Sequence, residues 1–223
     1  SIHEDRPRYD ARTALLVVDV QNDFADPAGS LSVNGGAAVV PVLNDEARAA
    51  RDAGAYVAYT QDWHPHDTPH FAKDGGVWPV HCLAGTWGAF FHPDLDVHGP
   101  SVHKGSNGED GYSGFTMRDP VTNRTIPTEL EPLLREHGIE RVVIGGLATD
   151  YCVKATALDA VRLGFETTVL DDAIAAVDLT PGDGARAIAE LRAAGVAIEP
   201  SLDAIEDDTY RRPEPVRPRP AAG

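Results

Sequence analysis

Cysteine is scarce in this 223-residue chain: Cys82 and Cys152 are the whole supply. Two thiols cannot staple a disulfide scaffold, and a reducing cytoplasm is the expected setting. Basic residues are short as well, 19 Lys+Arg against 35 Asp+Glu, for a formal charge of −16. The tail from Arg211 holds four Arg and one Glu, so the body ahead of it is more acidic than the chain as a whole. Such a surface repels phosphate backbones, which argues against nucleic acid as a partner. No apolar run approaches the roughly 20 residues that span a bilayer, and residues 1–10 are charged, without the apolar core of a signal peptide. No membrane partner is therefore expected, and no repeat of solenoid type is visible.

What remains is ordinary globular material, 42% hydrophobic and 24% charged. At this length folding can bury roughly 70% of the unfolded surface, enough for one sizeable core. One local pattern recurs four times. A helical stretch with basic residues near its end meets a glycine (Gly54, Gly138, Gly164 or Gly195), and a β-type run follows at 55–59, 141–144, 166–170 or 196–198. Glycine takes the left-handed conformation that ends a helix, and basic side chains complement the negative helix C-terminus. The runs 14–18 and 142–144 are unbroken apolar, as in strands covered on both faces. Helical one-sided spacing appears in Val39, Leu43, Ala47, Ala50, then Leu130, Leu133, Leu134, His137, then Ile188, Leu191, Ala194. The expected fold is α/β: a doubly wound, mostly parallel sheet flanked by helices on both faces. Residues 1–210 read as a single domain and 211–223, rich in Pro and Arg, as a flexible tail. The stretches 61–100 and 105–127 break the rhythm and read as long loops, which in a compact domain are usually functional.

Unusual polar residues gather on this scheme. Asp19 closes the first strand, Asp62 and His64 follow the second, Lys104 follows the extended piece 101–103, and Cys152 follows 142–146. All fall beyond the carboxyl ends of parallel strands, where open α/β sheets bind ligands. Each has a bland reading. Cys152 is either a small buried hydrophobe or a thiolate favoured at the start of the helix 151–163, with Thr149 or Asp150 as its cap. Asp19 either caps a turn or acts as a base, and Lys104 alone is a solvated loop lysine. Together, a thiol, a carboxylate and an ammonium in one crevice can perform nucleophilic acyl chemistry.

Seven of the nine histidines lie within residues 64–103. Extended backbone at Asp62-Trp63-His64 points both flanking side chains to one side. His81, one turn past Trp78-Pro79, closes a set of one carboxylate and two imidazoles that suits zinc, manganese or iron. The alternative is a polar, His-rich surface loop. Trp63, Phe71 and Trp78 interleave with these histidines, either as loop packing or as walls for a flat ring.

The ordered motifs Val18-Asp19-Val20-Gln21-Asn22-Asp23-Phe24, Asp62-Trp63-His64, Trp78-Pro79-Val80-His81-Cys82, Lys104-Gly105, Tyr112-Ser113-Gly114-Phe115 and Gly145-Gly146-Leu147-Ala148-Thr149-Asp150-Tyr151-Cys152-Val153 resemble the nicotinamidases (pyrazinamidases) of the isochorismatase-like cysteine hydrolases. The resemblance covers most of residues 14–199. It implies an Asp19–Lys104–Cys152 triad, and one divalent metal ion, zinc first with manganese or iron as alternatives, held by Asp62, His64 and His81. His70 is a fourth ligand used by some relatives. It implies a cis peptide at Leu147–Ala148 that aims the N–H groups of Ala148 and Cys152 at an oxyanion, and a ring pocket lined by Phe24, Trp78 and Tyr112. The implied reaction is nicotinamide to nicotinate and ammonia, and pyrazinamide to pyrazinoate, in NAD salvage. A small-molecule substrate is thus the expected partner, with a homo-oligomer left open. Two rival readings stand beside it: a related amidase acting on an N-carbamoyl or open-chain amide, and a non-catalytic metal- or ligand-binding relative.

Overall fold

The computed structural model describes residues 6–210; the Pro/Arg-rich tail at 211–223 lies outside them. In chain order the elements are β1 (Thr13–Val18), α1 (Asn22–Ala25), α2 (Val39–Asp52), β2 (Tyr56–Asp62), β3 (Ser101–Lys104), β4 (Thr116–Arg118), β5 (Thr125–Pro127), α3 (Leu130–Glu136), β6 (Arg141–Leu147), α4 (Lys154–Arg162), β7 (Glu166–Ala175), α5 (Asp183–Ala193), β8 (Ala197–Glu199) and α6 (Leu202–Tyr210). A π-helical turn, Thr149–Val153, joins β6 to α4.

Six strands form a sheet in the order β3-β2-β1-β6-β7-β8, and every neighbouring pair is parallel. The expected doubly wound sheet is what forms. Its logic is visible in β1, buried along its whole length. Leu15 and Val17 join the core with Val39, Leu43, Ala47 and Ala50 of α2. Ala14, Leu16 and Val18 face the other way, toward Leu130 and Leu134 of α3, Ala157 and Ala160 of α4, and Leu191 of α5. An unbroken apolar run is thus required, because the strand has no solvent side. Each such leucine contributes about 1.5–3 kcal/mol by burial. The four helix-ending glycines behave as the repeat predicts, with φ of 77°, 69°, 89° and 95° at Gly54, Gly138, Gly164 and Gly195.

The chain leaves β1 for β2 and β3 on one side and returns to β6 on the other. The crevice at this reversal, between the carboxyl ends of β1 and β6, is where an open α/β sheet accepts a ligand. Gly146 permits the close approach of the two strands there. Its φ is 126°, and a Cβ at this position would meet Val18 O at 2.1 Å.

Two expectations are corrected, and one element is added. The stretch 105–127 is not all loop: β4 and β5 pair antiparallel within it, with Met117 opposite Ile126. Strands of three residues are too short for alternation to show. The second correction concerns 151–163, which is not one regular helix but begins with the π turn. Finally, α6 follows the last strand, docked where Leu202 N donates to the buried Glu46 carboxylate, which also accepts Tyr9 OH at 2.6 Å and Arg8 Nη1 at 3.2 Å.

Two glycine substitutions separate close packing from turn geometry. Gly146→Ala is expected to lower the unfolding free energy by about 2–5 kcal/mol, from overpacking plus a strained φ. Gly54→Ala, with nothing within 4 Å of the added methyl, should lose only about 1–2 kcal/mol. Urea denaturation of both variants checks the difference.

Candidate active site

Asp19 is the first residue after β1 and turns out of the strand with φ 51°. Its amide donates to Thr60 O at 3.1 Å, and Thr60 Oγ1 donates to Asp19 Oδ1 at 2.7 Å. Its other oxygen, Oδ2, accepts from Lys104 Nζ at 2.6 Å. Lys104 ends β3 and is 2% exposed, so its long side chain runs through the protein to deliver one ammonium. That ammonium also donates to Tyr112 O at 2.9 Å and lies 3.3 Å from Asp62 Oδ1. The Cys152 sulfur and carboxylate oxygens of Asp19 and Asp62 all lie within 4.8 Å of one another.

Three acids and one base therefore share a buried space. Burial pushes the Asp19 carboxyl above its usual range, Lys104 pulls it back and Asp62 adds to the rise. Burial also opposes the Lys104 charge, but Asp19, Cys152 and Asp62 outweigh it and hold the ammonium well above its ordinary range. Burial drives the Cys152 thiol far up; Lys104 opposes, while Asp19 and Asp62 reinforce the rise. Burial and the two carboxylates thus work against the thiolate that a helix N-terminus alone would favour. Neither Thr149 nor Asp150 caps the turn. Ala148 occupies the cap position without a side-chain bond, and Asp150 instead accepts the amides of Val177 and Asp178, both at 2.9 Å. The Leu147–Ala148 peptide is cis.

A second cluster adjoins the first. His64, His70 and His81 each place a ring nitrogen within 4.8 Å of the others, and Asp62 Oδ2 lies 3.5 Å from His64 Nε2 and 3.7 Å from His81 Nε2. Burial works against the Asp62 charge, but Lys104 and the two imidazoles hold its carboxyl well below the usual range. Pro79 O accepts from His81 Nδ1 at 2.7 Å, with Nε2 on the side of Asp62. The Gln21 side-chain amide grips the Asp62 peptide from both sides, Nε2 to O at 2.7 Å and N to Oε1 at 2.9 Å. Both His64 nitrogens are buried without a hydrogen-bond partner, a deficit of about 1–3 kcal/mol per group that a cation would remove at one of them. One carboxylate and three imidazoles fit zinc, manganese or iron.

Between the two clusters opens a cleft of about 400 Å³. Phe24, Trp78, Tyr112 and Tyr151 line it together with Asp62, His70, His81, Ala148 and Cys152. Trp78 meets Tyr151 edge to face at 5.0 Å, and Trp78 Nε1 donates to Tyr112 OH at 3.1 Å.

A family comparison bears on this geometry. The family model described as Isochorismatase domain matches residues 13–199. The chain belongs to the isochorismatase family. Within the family it is 41% identical over 194 residues to the nicotinamidase/pyrazinamidase of Mycobacterium tuberculosis, covering 83% of this chain and 97% of that protein. Among solved structures it is similar to a pyrazinamidase of Pyrococcus horikoshii in complex with zinc, with TM-score 0.75, 39% identity, and 85% and 99% of the two chains covered. It is also similar to PnC1 from L. infantum in complex with nicotinate, with TM-score 0.77, 35% identity, and 86% and 94% covered.

This member of the isochorismatase family brings together Asp19, Lys104 and Cys152, then Asp62, His64, His70 and His81, then Phe24, Trp78 and Tyr112 around the cleft. It does not bring Trp63 there: that ring stacks on His103 at 4.3 Å. Phe71 backs the imidazoles edge-on, 5.4 Å from His64 and 5.4 Å from His81. Cys82 is fully buried, its amide held by Asp23 Oδ2 at 2.8 Å. Sequence reasoning missed Tyr151 as a wall of the cleft, although it adjoins Cys152, and missed the Gln21 and Thr60 contacts, which only the strand register reveals.

Because Lys104 counteracts the rise of the Cys152 thiol, Lys104→Met should move the pH dependence of its alkylation further upward. At any fixed pH below that transition the rate falls. Iodoacetamide labelling across pH with peptide mapping reads this, and Cys82 should stay unlabelled in both proteins.

Proposed function

We propose that the protein hydrolyses nicotinamide to nicotinate and ammonia, and pyrazinamide to pyrazinoate, through a thioester on Cys152. The carrying observation is that Cys152, with the Asp19 carboxylate within 4.8 Å of its sulfur, lines one aromatic-walled cleft together with Asp62, His70 and His81. Asp62, His64, His81 and His70 would hold one divalent cation, with zinc the first choice; when bound, it supplies a Lewis-acid anchor for a ring nitrogen.

Phe24, Trp78 and Tyr112, with Tyr151, clasp the flat ring and set its carboxamide over Cys152. Asp19 takes the thiol proton as the sulfur attacks the carboxamide carbon. Burial makes both acids reluctant to ionise, so the proton passes between two groups that compete for it across a short gap. The amides of Ala148 and Cys152 are aimed at the tetrahedral oxyanion, each donor contributing about 2.7–4 kcal/mol. Asp19 returns its proton to the departing nitrogen, the C–N bond breaks, and ammonia leaves a thioester. Water, deprotonated by Asp19, adds to that thioester, and the carboxylate product departs as the thiol is restored. Lys104 keeps Asp19 oriented through both halves and balances the extra charge that each half creates.

The M. tuberculosis relative, named for both amides, and the L. infantum structure with nicotinate support this choice of substrate. Two free cysteines suit a reducing cytoplasm, where the reaction would return nicotinamide to pyridine nucleotide synthesis.

Ammonia release from nicotinamide, pyrazinamide, and N-carbamoyl and open-chain amides tests the reading. Nicotinamide should be turned over well above the non-aromatic amides; a preference for an open-chain amide would overturn the substrate assignment. Cys152→Ala should lose about 10⁴-fold or more in kcat while keeping its fold and metal content. Appreciable residual turnover would overturn covalent catalysis.

A further inference from the structure

The three histidines of the cluster are anchored differently. His64 lies two residues past the end of β2 and is placed through its backbone, its amide bonded to Cys82 O at 2.9 Å and its carbonyl to Ala84 N at 2.8 Å. His81 is held by Pro79 O two residues away. His70 sits on the long connection between β2 and β3, in neither helix nor strand, and its anchor comes from far along the chain. His70 Nδ1 lies 2.6 Å from Asp110 Oδ1. We propose that Asp110 is a positioning residue for the metal site, fixing the His70 imidazole with Nε2 turned into the cluster. The inference rests on the metal reading given above.

Asp110 is itself immobilised. Its Oδ1 also accepts Gly111 N at 2.8 Å, and its Oδ2 accepts Arg118 Nη2 at 3.0 Å. Asp110 and Arg118 further exchange both backbone hydrogen bonds, at 2.8 and 2.7 Å. Arg118 ends β4, so the short hairpin reaches the cluster through a chain of contacts: guanidinium, carboxylate, imidazole. A carboxylate whose oxygens already accept from Gly111 N and Arg118 Nη2 meets His70 as an acceptor as well, so the shared proton belongs on His70 Nδ1, and Nε2 keeps its lone pair for a cation. Burial completes the selection: the His70 side chain is 5% exposed, and its ring stacks on His64 at 4.7 Å. Without Asp110 the ring can flip or take the other tautomer.

The test measures Zn²⁺ affinity of the full chain by competition with a chromogenic chelator, with no substrate present. Asp110→Ala should weaken binding about 10–100-fold, as loss of an outer-shell partner does. His70→Ala should also weaken it. In the His70→Ala background, removing Asp110 should change the affinity less than about 2-fold, since the two residues act as one unit. Should Asp110→Ala not fold, Asp110→Leu, close in shape and unable to accept a hydrogen bond, carries the same expectations. Wild-type affinity in the Asp110 variant, or an equal loss with and without His70, overturns the inference and leaves the metal reading standing. A wild-type protein that takes up no Zn²⁺ overturns both.

Discussion

A single ammonium, Lys104 Nζ, sits with two buried carboxylates, a buried thiol and a backbone carbonyl around it. Remove that charge and two buried acids confront each other at the ends of neighbouring strands. Removing one partner from such a buried arrangement typically costs about 3–5 kcal/mol. The sheet order explains how the group assembles: β3, β2 and β1 lie side by side, so Lys104, Asp62 and Asp19 end three adjacent strands at nearly the same level. Lys104 and Asp62 are paired directly in register. Cys152 then arrives after β6, across the reversal point, with its sulfur within 4.8 Å of an Asp19 carboxylate oxygen.

This arrangement makes the two chemical centres one. Asp62 belongs to both: one oxygen lies toward the ammonium and the other toward His64 and His81. Its charge is held by both sides, and its backbone is gripped by Gln21, two residues after Asp19. Gly105 marks how tight the junction is, since a Cβ there would meet His64 Nδ1 at 2.8 Å. The Lys104-Gly105 dipeptide thus meets Asp19 and Asp62 with its side chain and leaves room for His64 with its lack of one.

Much of this was legible in the sequence, and the reasons are physical. Helices that end at Gly54, Gly138, Gly164 and Gly195 are written in single residues, because the backbone demands them. Strands buried on both faces announce themselves as apolar runs. Asp19, Asp62 and Lys104 were placed because they end or follow those strands. The upward push on the Cys152 thiol was not legible: it comes from burial and two carboxylates set against one ammonium, which no spacing reveals. Asp110 was hidden for a related reason. In a stretch of Gly, Ser, Asn and Asp, one more acid looks like turn chemistry, and its partner His70 lies forty residues upstream. The β4–β5 hairpin was too short to leave a periodic mark.

Tyr112 carries a division of labour within one residue. Its carbonyl accepts from Lys104, while its hydroxyl and ring meet Trp78 and Tyr151 across the cleft. The backbone half answers to the charge balance and the side-chain half to the shape of the guest. Replacing the side chain therefore resizes the chamber without unsettling the acids beneath it. A fold built this way can drift from one guest to another by trading aromatic groups for aliphatic ones while its reactive floor stays as it is.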